Sequence, residues 1–209
     1  MKNRNIDYWN KFYKKAKVQE QSKFALFVYK KITKLKKKFK MIDVGCGNGR
    51  DTIFFIKKKF DIIGVDQSNI IIMKNKKIFK KNFIKKNICM KNLNFKKKFD
   101  ILYARFFIHT INAKEQENFF KNVKKIVRKR GLIFLEFRTI KDPLIKKGIK
   151  ISKHERYDDH YRRFIDPHEF KNKLKQMSYK IIYFKTSNKY AVYQNQRPHI
   201  CRAILKKIN

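Results

Sequence analysis

Residues 40–51 read KMIDVGCGNGRD. Positions 41–44 make a short strand-like run that breaks into a loop with glycine at 45, 47 and 49, and a helical pattern begins near Asp51. Glycines let the chain turn tightly and let a ligand approach the backbone, and the helix start aims its N–H groups at the same place. Asp66 closes the next apolar run, 61–65. An acid at the end of a second strand accepts the hydroxyls of a ribose. The dinucleotide fingerprint is G-x-G-x-x-G, whose loop and helix receive a pyrophosphate. Here the spacing is G-x-G-x-G, Arg50-Asp51 follows, and Asp43 lies within the strand before the loop. That acid favours a ligand with an ammonium group and disfavours a pyrophosphate. The ligand implied has an amino-acid end, a ribose and a base.

Outward from this stretch, short β-type runs alternate with helical patterns, which predicts an α/β fold with a largely parallel sheet. Strands are expected over 41–44, 61–65, 83–88, 99–104, 132–137, 180–185 and 200–205, with helices over 51–58, 69–80, 113–127 and 167–176. Ser68 or Asn69 is placed to cap the second of these helices, and Asp166-Pro167 to start the last. The basic run 124–130 followed by Gly131 predicts a helix end with cations at its negative pole. The link 186–199 is too short and too irregular for a crossover, so the last strand is expected to run antiparallel. No linker divides the 209 residues, so one domain is expected over 1–209. Two pieces fall outside the alternation. Residues 1–40 predict two helices, 6–15 and 24–36, with an aromatic cluster of Tyr8, Trp9, Phe12 and Tyr13. They form either a lid or a stripe of core. Residues 139–165 are an insertion after the fifth strand, where long connections usually serve a site.

The formal charge of +40 suggests a polyanion partner. A duller cause competes with it. Lys, Asn, Ile and Phe supply 110 of the 209 residues, and Gly, Ala, Pro and Arg only 26, which is the signature of AT-rich codons. Of the basic residues 45 are Lys and 11 Arg, whereas phosphate readers lean on the arginine fork. Cys46, Cys89 and Cys201 show no CxxC pairing and no metal-ligand spacing, so thiols in a reducing cytoplasm and no metal are expected. No segment reaches the length of a signal peptide or a membrane span.

The motifs Asp43-Val44-Gly45-Cys46-Gly47-Asn48-Gly49 and Gly64-Val65-Asp66-Gln67-Ser68 resemble those of class I S-adenosylmethionine-dependent methyltransferases. The GCGNGRD form is similar to the branch with the tellurite-resistance and thiopurine enzymes. The resemblance covers nearly the whole chain and implies a Rossmann-like seven-stranded sheet, helices on both faces, with S-adenosylmethionine as cofactor. It implies that Gly45, Gly47 and Gly49 line the methionine part, with Asp43 near its ammonium and Asp66 on the ribose. Cys46, Arg50, Asp51, Gln67, Ser68 and Ala104 complete the expected cofactor set. The family often binds the adenine amine with an acid near the end of strand three. Here Asn87 stands at that place, and its side-chain carbonyl is expected to serve.

Strand four ends Tyr103-Ala104-Arg105-Phe106-Phe107-Ile108-His109. The Asn/Asp-Pro-Pro-aromatic motif of base-methylating enzymes is absent, which disfavours a nucleic-acid acceptor and leaves it as the alternative. By position Arg105 and His109 face the pocket mouth, with His109 as general base or as a packed helix residue. Glu136 and Arg138 read as an ion pair or as substrate contacts. The densest polar cluster, His154 to Phe164, adds His160 and Tyr161 as catalytic candidates and Tyr157, Arg162 and Arg163 beside Arg105 and Arg138 as substrate contacts. Arginine is scarce here, so its clustering points to a small acceptor bearing phosphate, phosphonate or carboxylate; the other reading is a salt-bridged loop.

Overall fold

The computed structural model describes residues 2–15, 20–35 and 37–208. Residue 36 of the expected second helix, and residues 1, 16–19 and 209 of the expected domain, lie outside them. The central sheet has seven strands in the order β3-β2-β1-β4-β5-β10-β9. These are Lys40–Val44 (β1), Asp61–Asp66 (β2), Phe83–Lys85 (β3), Phe99–Arg105 (β4), Val127–Arg138 (β5), Tyr179–Ser187 (β9) and Ile200–Lys207 (β10). Strands β3, β2, β1, β4 and β5 pair in parallel, and β10 runs antiparallel to both β5 and β9, as the short link predicts. The chain order reverses between β1 and β4. Ligands of open α/β sheets bind at that crevice, outside the carboxyl ends of the strands.

Helices Lys23–Thr33 (α2) and Arg50–Lys57 (α3) cover one face, where Phe24, Val28, Phe55, Tyr103 and Phe134 share a core cluster. Helices Ala113–Ile126 (α5) and Pro167–Gln176 (α6) cover the other, with Phe119, Phe120, Leu135, Phe137 and Leu174. Asn69–Lys76 (α4) packs by β2 and β3, capped by Ser68, whose Oγ accepts from the Ile71 N–H at 3.3 Å. Asp166 caps α6 with proline in the first turn, as expected.

Several boundaries move, among them the end of α2, which stops at Thr33 rather than 36. Helix α4 stops at Lys76 rather than 80, because a 3-10 turn at Lys80–Asn82 returns the chain to the sheet, with Asn82 Nδ2 donating to the Ile62 carbonyl at 2.8 Å. Strand β3 stops at Lys85 rather than 88, since the Asn87 side chain accepts from the Cys89 N–H at 2.8 Å and bends the chain in an Asx turn. Helix α5 stops at Ile126, and its last carbonyls are taken by Lys98, just before β4, and by Lys207 at the end of β10, so residues 127–131 already belong to β5. Gly131 is therefore no helix cap. A Cβ there would lie 2.5 Å from Val127 Cγ1 and 2.8 Å from the Arg128 carbonyl, so it is a close-approach glycine.

The expected lid over 1–40 divides in two. Helix α2 is core, with Phe24, Ala25, Val28 and Ile32 buried. Only Lys2–Lys15 (α1) lies over the carboxyl end of the sheet, against α4. The insertion folds into a 3-10 turn, Pro143–Lys146, and a small antiparallel sheet of Ile149–Lys150 (β6), Glu155–Tyr157 (β7) and Tyr161–Arg163 (β8).

Candidate functional site

A cavity of about 870 Å³ opens at the β1/β4 crevice. Its floor on the β1–β2 side is the glycine loop. Gly45, Gly47 and Gly49 take φ of 70°, 52° and 75°, a region costly for other residues. The Gly45 and Cys46 N–H groups donate to the Val65 carbonyl at 2.9 and 3.1 Å, which ties the loop to β2. Asp66 ends β2 at the cavity. Its Oδ2 accepts from the Gly47 N–H at 3.1 Å and its Oδ1 from the Ser68 N–H at 2.9 Å. Burial raises the Asp66 carboxyl, and these backbone bonds work against the rise. Asp43 sits deeper, with Oδ2 accepting from Thr52 Oγ1 at 2.6 Å. Burial pushes its carboxyl up to about 8, with Asp51 and Asp66 adding to the rise and the Thr52 bond opposing it.

Helix α1 roofs this half. An ideal Cβ on Gly47 would lie 2.4 Å from the Tyr13 hydroxyl, so only glycine lets the helix come this close. Ser68 Oγ donates to Asn10 Oδ1, and Lys74 Nζ to the Tyr13 carbonyl at 3.3 Å. At its other end α1 is held by the insertion. The Tyr161 N–H donates to Asn5 Oδ1 at 2.9 Å, the Tyr8 hydroxyl to Asp159 Oδ2 at 2.9 Å, and the His160 ring packs 4.5 Å from Tyr8 and 4.7 Å from Trp9.

The β4–β5 half carries arginines. Arg105 Nε donates to Glu136 Oε1 at 3.0 Å, and Arg202 Nε to Glu136 Oε2 at 2.7 Å, so one buried carboxylate serves two guanidiniums. Burial works against the charge on Arg105, and Glu136 with Asp51 more than restores it. Arg138 Nη1 lies 2.8 Å from Asp142 Oδ2, and Asp142 also accepts from the His199 N–H at 3.1 Å. The Phe106 ring is packed between the two cations, 4.3 Å from Arg105 Cζ and 5.4 Å from Arg138 Cζ.

A methyltransferase domain family matches the chain over residues 13–183. The chain belongs to this family. It is an S-adenosylmethionine-dependent methyltransferase. Solved structures share the fold at low identity. An S-adenosylmethionine-dependent methyltransferase from Clostridium acetobutylicum aligns with TM-score 0.69 at 16% identity, over 90% of this chain and 92% of that one. The 1,6-didemethyltoxoflavin-N1-methyltransferase of Burkholderia thailandensis gives 0.65 at 12%, over 89% and 77%. The glycopeptide N-methyltransferase MtfA, complexed with S-adenosylmethionine, gives 0.66 at 9%, over 90% and 95%. A search of curated proteins by sequence finds no match.

In this methyltransferase the expected cofactor residues Asp43, Gly45, Cys46, Gly47, Arg50, Asp51, Asp66, Gln67, Ser68 and Asn87 all border the cavity. Gly49 and Ala104 do not. Gly49 turns the chain into α3, and Ala104 is buried in β4. Asp51 has other duties as well, since it accepts from the Ser22 N–H at 2.7 Å, Ser22 Oγ at 2.8 Å and the Tyr103 hydroxyl at 2.6 Å, tying α2 to α3. The Asn87 carbonyl already holds Cys89, and its amide donates to Gln67 Oε1 at 3.3 Å.

The acceptor side departs further from expectation. Arg105, Arg138 and Tyr161 border the cavity, whereas His109, Tyr157, His160, Arg162 and Arg163 do not. His109 is buried in the turn before α5, with Nδ1 3.4 Å from the Arg138 backbone N–H and its own carbonyl accepting from the Arg163 N–H. Burial and the Arg138 charge hold its ring well below the ordinary range, and the ring lies away from the cavity, which fits the packed reading rather than the base. His160 is buried under α1, and burial lowers it to about 4. Arg162 reaches Asp159 at 2.7 Å, and Arg163 turns to the Ile111 carbonyl. Glu136 does not pair with Arg138, which takes Asp142 instead. The salt-bridged reading of the 154–164 cluster fits Arg162, while Arg156 and Arg163 donate to backbone carbonyls.

Sequence reading missed the β9–β10 connection. Tyr190 is anchored there by the Tyr183 hydroxyl at 3.0 Å and by Arg202 Nη2 at 3.2 Å, and the loop beyond it brings Tyr193, Gln196 and Pro198 to the cavity. Its one local signal is the aromatic spacing of Tyr190 and Tyr193 in a link otherwise polar. Thr110 and Glu115 also border the cavity, and Glu115 had a readable signal, Asn112 and Glu115 forming a capping box at α5.

Proposed function

We propose that this methyltransferase moves a methyl group from S-adenosylmethionine to an oxygen or nitrogen of a small anionic acceptor. The observation that supports it is one continuous cavity with Asp43, Asp66 and the glycine loop at one end and Arg105 and Arg138 at the other. In this reading Gly45 and Gly47 receive the methionine part, Asp43 meets the ammonium, Asp66 the ribose, and Gln67 with Asn87 the base. When bound, S-adenosylmethionine would supply an electrophilic methyl group for the acceptor's lone pair, its thioether leaving with the bonding electrons. The chain's own part is alignment and exclusion of water, with α1 as the lid. The GCGNGRD loop supports kinship with the tellurite-resistance and thiopurine branch, and the buried thiols support a cytoplasmic setting. No helix among the described residues is long and apolar enough to cross a membrane.

Calorimetric titration with S-adenosylmethionine, followed by a methyl-transfer screen of phosphorylated and carboxylated metabolites, tests the reading. Saturable binding and turnover of an anionic metabolite are expected; turnover confined to neutral acceptors would refute the anionic class. The charge of +40 favours one rival, a structured RNA acceptor. Saturable RNA binding that persists above physiological salt would sustain that rival, since non-specific attraction fades steeply with salt.

A further inference from the structure

The acceptor half carries a charge count and a shape that narrow the substrate class. Among the described residues the cations packed there are Arg105, Arg138 and Arg202, and the carboxylates are Glu136 and Asp142. Three against two leaves one positive charge in excess, and it arises because Glu136 is shared between Arg105 and Arg202. Of that pair only Arg105 borders the cavity. Glu115 sits at the rim, where its Oε2 accepts from the Asn112 N–H and solvent screens it. A dianionic group would leave the buried cluster with an excess of negative charge, and a monoanion balances it.

Rings border the cavity from every side. Trp9 comes from α1 and stacks on Tyr13, Phe107 packs on Gly45, Phe106 lies by Arg105 and Arg138, Tyr161 comes from the insertion and Tyr193 from the β9–β10 loop. Phe106 holds a φ of 53°, strained for a bulky residue, and its N–H donates to the Glu136 carbonyl at 2.8 Å. Backbone strain of this kind costs about 1–3 kcal/mol and persists where the surroundings enforce it. Here it sets an aromatic ring between two guanidiniums at the cavity floor. Rings select flat partners by offset stacking, and a guanidinium fork selects a carboxylate beside them.

We infer that the acceptor is a planar aromatic monoanion, an aryl or heteroaryl carboxylate methylated on a ring-borne oxygen or nitrogen. The inference rests on the methyl-transfer reading above and sharpens its acceptor from three anion types to one.

The test uses the full chain saturated with S-adenosylhomocysteine and titrated with para-hydroxybenzoate, phenyl phosphate, para-hydroxybenzamide and butyrate. Calorimetry reads the affinity, and the fluorescence of Trp9, the single tryptophan, reads contact with the roof. Para-hydroxybenzoate is expected to bind about tenfold tighter than each of the other three. Arg105→Met leaves Glu136 with Arg202 as a balanced pair, so the fold is retained. It should weaken para-hydroxybenzoate about tenfold and change para-hydroxybenzamide by less than about twofold. Tyr193→Ala, at an exposed position, should weaken both ring compounds equally. Phenyl phosphate or butyrate binding as tightly as para-hydroxybenzoate overturns the inference, as does an Arg105→Met chain that still prefers the carboxylate. Intact S-adenosylhomocysteine binding with no aromatic binding overturns the acceptor alone, and loss of both overturns the methyl-transfer reading too.

Discussion

The glycine loop and the 139–165 insertion make an instructive pair, because both are conspicuous in the sequence and they are built from different materials. The loop works through positive φ and the close approach that a missing Cβ allows at 45, 47 and 49, while its N–H groups hold it to Val65 and Asp66. The insertion is rich in Arg, His and Tyr, but its side chains have neighbours that compete for them. Asp159 takes Arg162 and Tyr8, Glu155 takes the Tyr161 hydroxyl, and His160 is packed between Tyr8 and Trp9. The insertion therefore holds helix α1, and the arginines of the proposed acceptor end come from β4 and β5. Backbone-built sites are legible locally; side-chain-built sites depend on who else is near.

That contrast can be broken most sharply at Asp142, wholly buried and partnered with Arg138. Asp142→Ala leaves a cation without its partner in the acceptor half, which should cost about 3 kcal/mol of stability and lower the melting temperature by several degrees. A melting temperature within a degree of the parent would mean that the arginines there are solvated and the charge count is wrong. On the cofactor side, Asp66→Ala should cost about a hundredfold in S-adenosylmethionine affinity through the loss of charge-assisted bonds. Calorimetry showing unchanged affinity would remove the ribose from this residue.

Acidity separates the halves next. The Asp43 carboxyl, raised to about 8 in the fold, favours the protonated state. Its contribution to stability is full below the ordinary carboxylate range, near pH 4, and is lost as pH rises through 8. An incoming ammonium needs the carboxylate, so cofactor binding should release a proton and tighten about tenfold per pH unit up to pH 8. Calorimetry in buffers of differing ionisation enthalpy would detect the proton, and Asp43→Asn should abolish it. His160 has the opposite sign. It is held neutral with a value near 4, so stability from this group is lost as pH falls from about 6.5 to 4. The smallest effect is expected at the latch. Tyr8→Phe removes one exposed bond to Asp159 and should cost about 0.5–1 kcal/mol, read as a change in Trp9 emission without loss of fold.

Much of the fold was legible because it rests on short-range periodicity. The seven strands, the antiparallel last one, the Ser68 and Asp166 caps and the glycine loop all follow from residues within a few positions of each other. Boundaries failed where a distant group intervened. Helix α5 ends four residues short of the basic run's end because Lys98 and Lys207 take its last carbonyls, and no local pattern announces a lysine 81 residues beyond Ile126. His109 was misplaced at the pocket mouth for the same reason, since its burial beside Arg138 cannot be read from a strand end.

The sequence by itself determined the cofactor side: the loop, the acid before it, Asp66 beyond it, and the sheet that places them at one edge. Only the tertiary structure decided the proposed acceptor side, where Trp9, Arg105, Arg138, Tyr161 and Tyr193 reach one cavity from five segments spanning most of the chain. The physical reason is the nature of the donors. A backbone N–H is present at every non-proline residue and needs only a turn to aim it, whereas a side chain serves a ligand only after its nearest competitors are known.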